Sequence, residues 1–198
     1  MTPHEQPSHD PWQKPPAGGG HADPGTYDGP GLRIELRQAA LVAVGVTVAG
    51  VLLGLLWLWL APRVPLVSDG KAVYFKNSEG EEAAGADGTF VLLALGFGAL
   101  TALVVFLFFR RGGVALVVGM VVGGLLASLV AWRLGVWLGP TQDVAAHARA
   151  VGKGAVFDAP LQLRAKGGLL VWAVAAAAVH LALTSLFGPR DPEPSAEY

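Results

Sequence analysis

Four long stretches without a charged residue constrain this chain more than any other feature: Ala39 to Ala61, Thr89 to Phe109, Gly112 to Trp132 and Gly167 to Pro189. Each holds 21 to 23 residues. A helix rises about 1.5 Å per residue and the hydrocarbon core of a bilayer is about 30 Å thick, so about 20 apolar residues cross it. In lipid every backbone polar group must be satisfied within the protein, which enforces helix despite the glycines in these runs. The expected fold is an all-α membrane protein with four transmembrane helices, arranged as two tandem hairpins.

Composition agrees with that class. The 198 residues are 53% hydrophobic and 15% charged, which argues against a soluble enzyme. Fourteen Lys and Arg against fifteen Asp and Glu leave a net charge of -1, so no basic field draws nucleic acid. There is no cysteine, which removes disulfides, thiolate metal sites and cysteine nucleophiles. No phosphate-cradling loop, paired-His zinc helix or nucleophile elbow occurs, so neither catalysis nor a cofactor is expected.

Residues 1–31 form the first segment, polar and without a leader-like apolar run. Seven prolines and five glycines fall in the first thirty residues, a composition expected to be a disordered cytoplasmic tail. His4, His9 and His21 within it lack a spacing that would converge them on a metal. The membrane domain spans 32–188, with loops at 62–88 and 139–166 on one side, and a second tail covers 190–198. The turn at Arg110 and Arg111 lies on the side of the tails.

Orientation rests on charge near the helix ends. Arg33, Arg37, Arg110, Arg111 and Arg190 flank the spans on the tail side, while Arg63, Lys71, Lys76, Arg149, Lys153, Arg164 and Lys166 are spread through the long loops. Proximity in short segments outweighs the raw count, which favours cytoplasmic termini in a plasma membrane and extracytoplasmic long loops. Trp57, Trp59, Trp132, Trp137 and Trp172 all fall at the long-loop ends of their spans, as an interfacial aromatic belt would. Arg133 is expected to snorkel to that interface.

An internal echo runs through the chain. Trp59-Leu60-Ala61-Pro62 is matched 78 residues later by Trp137-Leu138-Gly139-Pro140, and Gly70-Lys71-Ala72-Val73-Tyr74-Phe75 is matched 82 later by Gly152-Lys153-Gly154-Ala155-Val156-Phe157. Two parallel repeats about an axis along the membrane normal are the expectation. In the first loop Asp69-Gly70, between Val64-Pro65-Leu66-Val67 and Ala72-Val73-Tyr74-Phe75, predicts a β-hairpin.

Candidate functional positions are few. Gly50 with Gly54, and Gly119 with Gly123, place small residues four apart on helical faces that are expected to meet in the bundle or across a homo-oligomer. His180 is the titratable side chain inside the spans, beside Thr47, Thr101, Ser128, Thr184 and Ser185, and is expected to act as interhelical glue rather than as a proton relay. Asp69, Asp87 and the cluster Glu79, Glu81 and Glu82, set against Arg63, Lys71 and Lys76, give the first loop a net -2 against +2 in the second, so the loops are expected to dock or to share a partner. The acidic spacing does not suit calcium. Asp143 and His147 form a surface pair on a short helix from Thr141.

The four-span layout, the Asp69-Gly70 hairpin, the run Phe157-Asp158-Ala159-Pro160-Leu161-Gln162-Leu163 and the approach to Trp172 together resemble an uncharacterised actinobacterial family of four-helix integral membrane proteins. The resemblance covers about residues 32 to 188. It implies a plasma-membrane location and transfers no catalytic or binding residues. Lipid is the expected partner, with another membrane or extracytoplasmic protein beside it. The function expected is a non-catalytic accessory or interaction subunit; the alternative is a small permease or channel-like component acting as an oligomer.

Overall fold

The computed structural model describes residues 31–69, 72–76, 81–109 and 113–188. The proline-rich tail with its three histidines, Gly70, Lys71, Glu79, the Arg110-Arg111 turn and residues 189–198 lie outside the described residues. The described elements are α1 (Leu32–Leu60), β1 (Pro65–Ser68), β2 (Val73–Phe75), α2 (Glu81–Phe108), α3 (Val114–Leu138), α4 (Val144–Val151), β3 (Val156–Asp158) and α5 (Gly168–Phe187).

Four helices are long and apolar enough to cross a membrane: Leu32–Leu60, Ala84–Phe108, Val114–Leu138 and Gly168–Phe187. Their ends differ from the uncharged runs. α1 begins seven residues before Ala39, and α2 eight before Thr89. The helices continue through Arg33, Glu35 and Arg37 and through Glu81, Glu82 and Asp87, because charge limits what lipid accepts but does not by itself stop an i to i−4 ladder.

The long helices form a ring in the order α1, α3, α5, α2. α1 lies along α3 over most of its length, α2 lies along α5, α3 touches α5, and α1 meets α2 most lightly. Ala39 faces Gly119, Gly50 faces Ala127, and Trp57 faces Gly135, so α1 and α3 run parallel. Gly168 lies against Phe90, Gly98 against Ala175, and Phe106 against His180, so α2 and α5 run parallel as well. A two-fold along the bundle would set corresponding helices on the diagonals of the ring. Here they are neighbours, so the two hairpins lie side by side, which differs from the axial repeat expected.

The long helices turn many of their large aliphatic side chains outward. Towards the core the helices place small residues such as Ala94, Ala102, Ala127, Ala131 and Ala176, together with Trp57, Phe90, Met120 and Trp172. Outward they place Leu41, Val44, Val48 and Leu52 on α1, Leu92 and Leu103 on α2, Val118, Val122 and Leu126 on α3, and Leu170, Val174 and Leu181 on α5. In water the large aliphatics would be the ones buried.

The two loops share one sheet, ordered β2-β1-β3 and antiparallel throughout. Leu66 is opposite Phe75 on one side and Phe157 on the other; Val67 is likewise opposite Tyr74 and Val156. The two echoed segments thus become the two outer strands. β1 has no counterpart in the second loop, where α4 stands instead. The loops join through this backbone ladder, extended by Gly154 donating to the Ser68 carbonyl at 2.7 Å and Ala159 to the Val64 carbonyl at 2.8 Å.

Candidate functional site

The small-residue faces of α1 and α3 meet each other, and each glycine meets an alanine of the partner helix. A Cβ on Gly50 would fall 2.7 Å from the Ala127 Cα, and one on Gly54 3.0 Å from the Ala131 Cα. Reciprocally, a Cβ on Gly119 would fall 2.5 Å from the Ala39 carbonyl oxygen, and one on Gly123 2.9 Å from the Ala43 Cα. Backbone stands against backbone along this seam, where dispersion between close-packed atoms supplies the attraction.

The five tryptophans divide by helix face. Trp57 is fully buried, donates its indole N–H to the Ala86 carbonyl at 2.9 Å, and meets Phe90 edge-on at 5.1 Å between ring centres. Trp172 is equally buried; its indole N–H donates to Thr101 Oγ1 at 3.2 Å. Trp59 and Trp137 are 79% and 80% exposed, as a belt requires. Trp132 is half-buried against the core, with Lys166 Nζ 4.0 Å and Arg133 Cζ 5.0 Å from its ring centre. Trp57 was detectable as a core residue, because it continues the 3–4 spacing of Gly50 and Gly54 on the seam.

Residues 159–167 descend from the sheet into the loop-side end of the bundle before α5 starts. Leu161 packs by Gly135 and Gly139, and Leu163 by Gly168; both leucines belong to the core. Irregular backbone at this depth needs partners for its N–H groups. Asp87, six residues into α2, supplies them: Oδ1 accepts from Arg164 N and Oδ2 from Ala165 N, both at 2.9 Å. Sequence reasoning counted Asp87 only as loop charge. Nearby, Pro62, Arg63, Pro160, Gln162 and Arg164 line a cavity of about 30 Å³, room for about two waters.

The polar groups within the helices turn mostly inward on their own backbone. Thr47, Thr101 and Ser185 donate to the carbonyls of Ala43, Phe97 and Leu181, at 2.7, 2.7 and 2.8 Å. Ser128 Oγ and His180 Nδ1 are buried without a hydrogen-bond partner among the described residues. The His180 ring meets Phe106 at 6.4 Å, which places it near the tail-side end of the bundle, because Phe106 is two residues from the end of α2. Ser128 is level with the start of α5, since Gly124 lies against Ala173 on an antiparallel neighbour. The two orphan groups therefore sit in different layers and make no relay together.

Glu81 is exposed and Glu82 half-buried at the start of α2. Asp143 is the N-cap of α4, its Oδ1 accepting from Ala146 N at 2.8 Å, and His147 packs edge-on against Phe157 at 5.1 Å. Among the described residues no group of three or more His, Asp or Glu side chains is placed to hold a metal.

No family model, no curated protein and no solved structure matches the chain.

Proposed function

We propose that this chain is a multi-pass protein of the plasma membrane with both termini in the cytoplasm, serving as a non-catalytic accessory or interaction subunit whose outer cap meets a partner. The observation that carries the membrane part is an outward girdle of leucine and valine on all four long helices. A patch that continuous is stable against lipid and costly against water. Support for the interaction part comes from the cap itself. Register aligns Tyr74, Val67 and Val156 across the three strands on one face, with Tyr74 57% and Val156 54% exposed.

Orientation is tested directly, because a chain without cysteine takes single cysteines cleanly. Glu81→Cys and Gln162→Cys should react with an impermeant maleimide on intact cells, and Arg111→Cys only after lysis. The reverse pattern places the termini outside; labelling of all three in one compartment ends the four-span reading.

Purification of the full chain from its native membrane tests the partner. A second protein should be retained, and retention should fall at least about tenfold in Glu81→Lys/Glu82→Lys. Recovery of the chain alone, or retention unaffected by the charge reversal, overturns the interaction role.

A further inference from the structure

We infer that the outer end of α3 carries a binding site for an anionic phospholipid, its phosphate held between Arg133 and Lys166 and one acyl chain lying along the groove below. This inference rests on the membrane reading above and adds a ligand to it. Lys166 and Arg133 come to one indole, that of Trp132, at 4.0 and 5.0 Å from its centre. The ring is held by its contact with the core, so the two cations share a fixed base. No carboxylate among the described residues pairs with either. Two cations within 5.0 Å of the centre of one anchored ring, neither paired with a described carboxylate, concentrate positive charge that an external anion can neutralise.

The level of the pair identifies that anion. From Arg133 down to Val114 on α3, and from Gly168 to Phe187 on α5, the helices each cover about 28 Å. Both cations therefore stand at one limit of a hydrocarbon layer about 30 Å thick, where phospholipid phosphates lie. Asp87, six residues into α2 and bonded to the backbone of Arg164 and Ala165, marks the same layer. Arg133 is exposed there and has no need to climb to the interface.

Directly against Arg133 an open apolar groove is lined by Leu129, Val130, Leu134 and Trp137. Its walls are apolar below the guanidinium, with Trp137 80% exposed at the upper end. Positive charge at phosphate level above an apolar channel is complementary to a lipid of net negative charge. A zwitterionic lipid brings its own cation to the same place and meets repulsion there.

Native mass spectrometry of the full chain in a neutral detergent tests the site, with phosphatidylglycerol, phosphatidylcholine and glycerol 1-phosphate offered separately. Phosphatidylglycerol should be retained at least about tenfold more strongly than phosphatidylcholine, and glycerol 1-phosphate should neither bind nor compete. Arg133→Gln/Lys166→Gln should remove that preference, while Arg37→Gln, which neutralises an exposed arginine of α1 distant from the site, should keep it.

Equal retention of the two lipids, retained preference in the double variant, or equal loss in Arg37→Gln overturns the inference. Displacement by glycerol 1-phosphate would reassign the cations to a free phosphate ester and overturn the lipid site as well. Failure of the membrane reading has a different signature: a chain monodisperse in buffer without detergent. Thermal melts of both variants accompany the measurement, so that loss of binding is scored on folded protein.

Discussion

Replacing Gly50 with Ile should separate α1 from α3 and lower the stability of the bundle by about 3 kcal/mol or more. The substituted Cβ would meet the Cα of Ala127 at 2.7 Å, and the remaining atoms of isoleucine have nowhere to go but between the two backbones. A flexible side chain could yield; a helix backbone yields only by moving the helix. Because α1 and α3 are the most extensively packed pair in the ring, that movement breaks the whole seam from Ala39 to Trp57. In detergent the melting temperature should fall by roughly 6 to 12 °C, whereas Gly45→Ile, at a position with open space around its Cβ, should change it little. Equal melts for the two variants would show that the seam does not hold the bundle.

Asp87→Ala is expected to release the descending segment. Two backbone N–H groups lose a shared carboxylate acceptor, and bonds to a charged group contribute about 1.5 to 3 kcal/mol each when buried. Asp87 is only half-buried, so a combined loss of about 2 kcal/mol is the expected scale. Tryptic cleavage after Arg164 and Lys166 should accelerate by about tenfold in the reconstituted protein. Asp87→Asn keeps one carbonyl acceptor and should fall between. Cleavage at the wild-type rate in Asp87→Ala would mean that Leu161 and Leu163 alone anchor the segment.

How much of this was legible in the sequence depends on the range of the interaction. The four long apolar helices were, because an uncharged run of about twenty residues favours helix along its whole length. The β-hairpin was too: Asp69 accepts from Ala72 N through Oδ1 at 2.6 Å, which is a local bond between neighbours in the chain. The limits of the helices were not, since α1 and α2 carry charges well inside the ladder. Nor was the role of Asp87, whose bonds reach 77 and 78 residues along the chain. An acidic residue near a helix start signals a favourable dipole and says nothing about which backbone will descend beside it.

The tryptophans show the same division. Placement at the loop-side ends was readable, yet whether an indole faces outward or into the core depends on the angle around the helix. Trp57 is in phase with the glycine seam and Trp59 is two positions out of it, enough to separate a buried residue from one 79% exposed. The level of His180 in the bundle was not legible for another reason: its position within α5 was known, but α5 is set at the level of Phe90, nine residues into α2, and that offset is a property of packing.

The sheet stitched from both loops has a consequence for synthesis. Its third strand, β3, leaves the ribosome about 90 residues after β1, a delay of roughly five to twenty seconds at ordinary elongation rates. Until then the first hairpin stands with one bare edge, the arrangement that recruits foreign strands. While its own third strand is still unmade, that edge can pair with the same strand of a neighbouring finished chain, since both offer the residues of Val156–Asp158. Slowing elongation between the second and third helices should therefore enrich strand-exchanged dimers, and the latch that finishes the molecule is also the place where two molecules become entangled.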